Sequence, residues 1–275
     1  MPTPDTYYTT LTAAINDMAE NGYDSAERVA YWQSKLREAA ERSTATDAQM
    51  EQMLREALQA VYRRLVDKNG VVKYHPGVGR FTLDRLRPYL RPELDRRIAA
   101  SYDLIKLNRA QAIAQTQRRF SGWSTSLPKG GPAEADKRKL KAEIRKPLAK
   151  LPFEERRVLI DQGHKLVSSI NDVIAKDGGA IAMIWHSHWR QRNYNYRPDH
   201  KERDLKTYAI RGSWALKSGL MTVCDGYLDE ITQPAEEPFC RCYGAYVYNL
   251  RQLMPEFLTK KGELELERAK ALVAA

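Results

Sequence analysis

Met50, Leu54, Leu58, Val61 and Leu65 recur at three- and four-residue intervals inside TDAQMEQMLREALQAVYRRLV, which fixes one buried stripe on a helix. That stripe is core or helix–helix contact and carries no chemistry. Thr46 with Gln49 three positions later gives this helix a capping box, and Asp24 with Glu27 gives the same signature to SAERVAYWQSKLREAAERS. Pro92 is expected to start a further helix running to about Phe120. Between them, Asn69-Gly70 predicts a tight turn, with Val71-Val72 and Lys73-Tyr74 as a short hairpin arm. His75, beside Pro76, reads as a solvated loop residue.

The pattern changes in the second half. Gly130-Gly131-Pro132 is the best linker candidate, and a helix from Phe153 ends at Gly178-Gly179. AIAMIWHSHW then reads as a strand with Ile184, His186 and His188 on one face. RPDHKERDLKTYAI begins extended, SWALKSGL is a short helix capped by Ser213, TVCDGYLDEI and CRCYGAYVY are further strands, and a helix from Leu250 closes the chain. The expected fold is α+β: a mainly helical N-terminal region, then a compact C-terminal α+β domain with a small antiparallel sheet. The boundaries are 1–128 for the helical region, 129–150 for a basic linker or helix, and 151–275 for the α+β domain.

Of 275 residues, 43% are hydrophobic, enough for a substantial core. No apolar run approaches the roughly 20 residues of a membrane span, and the first residues lack the pattern of a secretory signal. Three cysteines, an odd number, point to a reducing compartment without disulfides. The net charge of +10 favours polyanionic partners. Its densest source is KRKLKAEIRKPLAK, with Lys137, Arg138, Lys139, Lys141, Arg145, Lys146 and Lys150 against Glu143. This run is either a solvated helix face or a contact for DNA or an acidic partner.

Cys240-Arg241-Cys242 raises the sharper question. On a strand, both thiols project to one face, and Arg241 points to the other, free to pair with an acid. Two thiolates and an imidazole make a common zinc set, so Cys240, Cys242 and His200 are candidate ligands, with His186, His188 or Cys224 as the fourth. The alternative is two small buried core thiols. The spacing differs from the usual Cys-x-x-Cys knuckle, and no zinc-deaminase, metalloprotease, nucleophile-elbow or phosphate-loop motif occurs. A Cys–His hydrolase using His200 is a third reading, but the residues support no catalytic assignment.

Trp185 or Trp189, then Arg197 with His200, then Pro234 with Pro238 and Cys240-Arg241-Cys242, together resemble the C-terminal head-morphogenesis domain of tailed phages. This is the family of minor head proteins that includes protein F of phage Mu and the minor head protein of phage SPP1. The resemblance runs from about Asn108 onward. It implies a non-enzymatic virion component inside the capsid near the portal vertex, present in the host cytoplasm during assembly and needed for infectious particles. Portal protein and major capsid protein would be its partners, docked by the N-terminal helices, and packaged double-stranded DNA a further contact during packaging or ejection; no membrane is involved in the mature head. No cofactor is expected, with a structural zinc at the Cys-x-Cys pair as the alternative read from the residues. A basic DNA-binding module is the alternative. The family carries a glycine shortly after Arg-x-x-His; here Asp204-Leu205 stand there, so that turn is expected to differ.

Overall fold

A computed structural model describes residues 5–130, 132 and 136–274. Eight α-helices and three strands are present among these residues: α1 (Asp5–Asn21), α2 (Ala26–Ser43), α3 (Asp47–Tyr62), α4 (Arg80–Ser124), α5 (Lys137–Gly178), β1 (Ala182–His186), α6 (Pro198–Glu202), β2 (Thr207–Ala209), α7 (Trp214–Lys217), β3 (Tyr243–Val247) and α8 (Lys260–Ala274). The α+β class is as the sequence predicts. The chain forms two compact units, one from residues up to Arg55 with Ala100–Val158, the other from Glu56–Ala99 with Leu159 onward. No described helix is long and apolar enough to cross a membrane.

In the first unit, Leu11, Ile15, Met18, Leu36, Phe120 and Ile144 form the core. Ser25, not Asp24, caps α2 by accepting the Arg28 N–H at 3.2 Å. Asp24 instead pairs with the Arg28 guanidinium. The Thr46–Gln49 box forms in both directions, at 3.0 and 3.3 Å. Arg109 is buried, yet it is satisfied by Glu155 at 2.6 Å and the Ala45 carbonyl at 2.8 Å. A buried guanidinium without such partners would be strongly destabilising.

In the second unit, Leu58, Leu65, Leu83, Leu90, Leu94, Leu166 and Ile170 make one core. Here α4 begins at Arg80 and passes through Pro88 and Pro92, so Pro92 does not start a helix. Each proline removes a helical N–H, at a cost of about 3 kcal/mol in an ordinary helix interior. Burial of Leu83, Leu86, Leu90 and Leu94 around them offsets that loss. Likewise α5 is continuous from Lys137 through Pro147 and Pro152, so residue 150 lies inside a helix. Asp136 caps it through the Lys139 N–H. Of the expected linker, Gly131 lies outside the described residues; Gly130 donates its N–H to the Tyr23 carbonyl.

Asn69-Gly70 does not lead a hairpin. Asn69 takes φ +58° and the chain closes a 3-10 turn over Gly70–Lys73, burying Val71. His75 is a second departure, because it is fully buried. Its Nδ1 lies 2.6 Å from the Tyr248 hydroxyl and its Nε2 3.2 Å from Asn171 Oδ1, with the ring stacked on Tyr246.

The sheet has the order β2-β1-β3, antiparallel throughout. Both faces of β1 are covered: Met183 and Trp185 join Tyr208, Cys240, Cys242 and Tyr246, while Ala182 joins Ala209, Val247 and Leu250. Gly244 opposes Trp185 in register, and a side chain there would collide with Met183. TVCDGYLDEI is not a strand. It makes isolated bridges at Cys224 and Tyr227, because Cys224 (φ +61°) and Gly226 (φ +140°) break the extended conformation. Ser213 precedes α7, but its hydroxyl makes no capping bond. Pro255 delays the last helix, so two 3-10 turns fill Leu250–Gln252 and Pro255–Phe257 before α8.

Candidate metal centre

Two segments deliver the central residues. RPDHKERD is helical rather than extended: Pro198, with its fixed φ, occupies the first turn of α6 and places His200 inward, 1% exposed. Cys240 and Cys242 precede β3 and are not on a strand, contrary to the sequence expectation. A turn through Phe239, at φ +61°, aims them at the same point. Both are buried.

His200 Nδ1 lies 3.5 Å from Cys240 Sγ and 3.5 Å from Cys242 Sγ, and the three ligand atoms all fall within 4.8 Å of one another. On the far side of the ring, His200 Nε2 is 3.0 Å from Glu237 Oε2, which is also 2.8 Å from Arg197 Nε. These are charge-pairing distances, although neither N–H lies in line with the carboxylate oxygen. Arg197 further donates to the Pro238 carbonyl at 3.0 Å. Trp185 meets the His200 ring edge-on at 5.3 Å, and Arg203 lies over the Trp185 ring.

Cys242 and burial act on Cys240 in opposite directions, and the hydrogen bond from the Cys242 thiol wins, lowering Cys240 below the usual thiol range. The Cys242 proton is correspondingly held more tightly, by Cys240 first and by burial second. The pair therefore releases its first proton readily and its second reluctantly.

Every residue singled out from the sequence motif can now be placed. Trp185, Arg197, His200, Pro238, Cys240 and Cys242 converge. Trp189 sits at the periphery, donating its indole N–H to Asp204 Oδ2 at 2.8 Å. Arg241 does not pair with an acid among the described residues; its guanidinium lies over the Tyr194 ring. Among the described residues, His186, His188 and Cys224 stay out of the ligand cluster. His186 and His188 instead pack on Tyr243, and the Cys224 thiol lies 3.7 Å from the Thr222 carbonyl. Lys137 to Lys150 occupy the first turns of α5, where Arg138, Lys139, Arg145, Lys146 and Lys150 are exposed, while Lys141 and Arg145 lie over the Tyr8 ring.

The roles of three supporting residues escaped the sequence reading. Glu237 was part of a proline-rich turn with no signal of its own. Asp161 sits mid-helix, and its carboxylate accepts the Phe239 N–H at 2.6 Å. Asp204 accepts from both Ser187 N and Trp189 Nε1, tying the loop after α6 to the end of β1. Beside the cluster lies a cavity of about 620 Å³, walled by Leu58, Val61 and Val167, with Lys73, His188, Arg241 and Cys242 among its polar lining. No protein-family model, curated protein or solved structure matches the chain.

Proposed function

We propose that the chain is a structural minor head protein of a tailed phage, bound inside the capsid near the portal and needed for assembling infectious particles. One observation carries this reading. The residues that resemble the head-morphogenesis domain, spread from Trp185 to Cys242, meet around one buried cluster instead of being scattered. Arg197, His200 and Cys240-x-Cys242 thus act as a brace for the second unit. The exposed basic turns of α5 suit proximity to condensed DNA.

Nucleophilic chemistry fits the same site less well. Cys240 is fully buried and does not line the cavity, and Cys242, which does, is only 4% exposed.

Co-expression with the portal and major capsid proteins of the phage or prophage that carries the chain tests the proposal. Assembled heads should contain the chain in a few copies, and particles made without it should lose infectivity. Normal infectivity in its absence would overturn the reading.

A further inference from the structure

We propose that His200 Nδ1, Cys240 Sγ and Cys242 Sγ bind a zinc ion, held in the second unit by a carboxylate–imidazole pair with Glu237 and Arg197. The argument is geometric. In tetrahedral zinc sites, sulfur at about 2.3 Å and nitrogen at about 2.0–2.1 Å from the metal stand about 3.5 Å from each other. Both sulfur–nitrogen separations here are 3.5 Å.

A plain hydrogen-bonded cluster accounts for this arrangement less well. One imidazole nitrogen carries a single proton or a single lone pair, so it bonds one sulfur well, not two at equal distance. A cation between the three atoms satisfies all of them at once. Binding through Nδ1 also leaves the proton on Nε2, facing Glu237 at 3.0 Å. That is the carboxylate–histidine pairing by which metal-ligating imidazoles are oriented.

Ligand softness selects the ion: two thiolates and an imidazole suit zinc and disfavour magnesium or calcium. The protein supplies three ligands, and the fourth position falls to an oxygen donor, with the Ser187 hydroxyl 3.9 Å from Cys242 Sγ. All three protein ligands are at most 4% exposed, so the ion is enclosed. This inference goes beyond the head-protein reading and does not depend on it: a metal-free chain would leave that reading standing, and failure to co-assemble would leave the metal.

Elemental analysis of the full, reduced chain after incubation with zinc and desalting tests it. A single equivalent of zinc is expected, retained in Cys224→Ser and lost in Cys240→Ser and His200→Gln. Because the latter variants can fail to fold, exchange of cobalt into the wild-type chain provides a second readout. Tetrahedral ligand-field bands with sulfur-to-metal charge transfer support the site. Glu237→Gln, outside the ligand set, should weaken zinc affinity about tenfold or more. A folded wild-type chain that retains no zinc, or a cobalt spectrum without thiolate charge transfer, overturns the proposal.

Discussion

The Asp161 carboxylate, on α5, accepts the backbone N–H of Phe239 at 2.6 Å, one residue before Cys240. Asp161 is almost wholly buried, and Lys165 one turn later stands 3.7 Å away. A helix side chain thereby fixes the left-handed turn that presents both thiols to His200. Asp161→Ala should lower the stability of the second unit by about 1–3 kcal/mol, since a charge-assisted bond is lost and a buried N–H is left unpaired. Urea unfolding of the variant checks this; an unchanged midpoint would show that the turn holds without its anchor.

Leu205 offers the opposite sign. It stands at the position pair where the resemblance has glycine, holds φ +68°, and leaves its side chain 57% exposed. A left-handed conformation costs a non-glycine residue about 1–2 kcal/mol, part of which glycine returns as backbone entropy. Leu205→Gly should therefore raise stability by about 0.5–1 kcal/mol. Thermal unfolding at matched concentration measures it, and a lower Tm would mean that Leu205 makes a packing contribution exceeding the strain.

His75 makes the second unit sensitive to acid. Burial holds its imidazole down at about 4, against an ordinary value of 6.5, partly opposed by the Asn171 hydrogen bond. Between those values the unfolded chain binds a proton that the folded unit refuses. Stability is full above about pH 6.5 and falls as pH drops towards 4, by an amount on the order of 3 kcal/mol. His75→Gln should be less stable at pH 7 but show a shallower slope across that window. Equal slopes for the two chains would assign the acid sensitivity to other groups.

The basic turns of α5 are the test of DNA contact. Neutralising Arg138, Lys139, Arg145 and Lys146 should flatten the log–log salt dependence of duplex DNA binding by about 0.9 for each phosphate contact removed. Filter binding or fluorescence anisotropy at several salt concentrations reads the slope. No change would make these residues a solvated helix face.

Much of the architecture was legible because periodicity and burial coincide. The stripe from Met50 to Leu65, the stop at Gly178 and the strand at Ala182–His186 follow from spacing alone, although His188, expected on that strand, lies beyond its end. The errors share a physical origin, since local signals yielded to tertiary burial. Pro92 read as a helix start, and a second helix was expected only from Phe153, yet buried leucines and isoleucines carry α4 through Pro88 and Pro92 and α5 through Pro147 and Pro152. His75 read as solvated because Tyr246, Tyr248 and Asn171, which enclose it, lie about a hundred residues or more away in sequence. At the candidate site, the grouping of His200, Cys240 and Cys242 was legible from residue chemistry. The roles of Glu237, Asp161 and Asp204 were not, because an acid shows no partner in the sequence until the fold supplies one.

The account rests on the buried sulfur–imidazole cluster bracing the second unit, and equilibrium unfolding of Cys242→Ser tests that most directly. Serine keeps the volume nearly constant while replacing a soft, buried sulfur by a hydroxyl. A loss of about 1–3 kcal/mol, with the transition of the second unit shifted to lower denaturant, is the expected result. An unfolding midpoint identical to that of the unaltered chain would contradict the account.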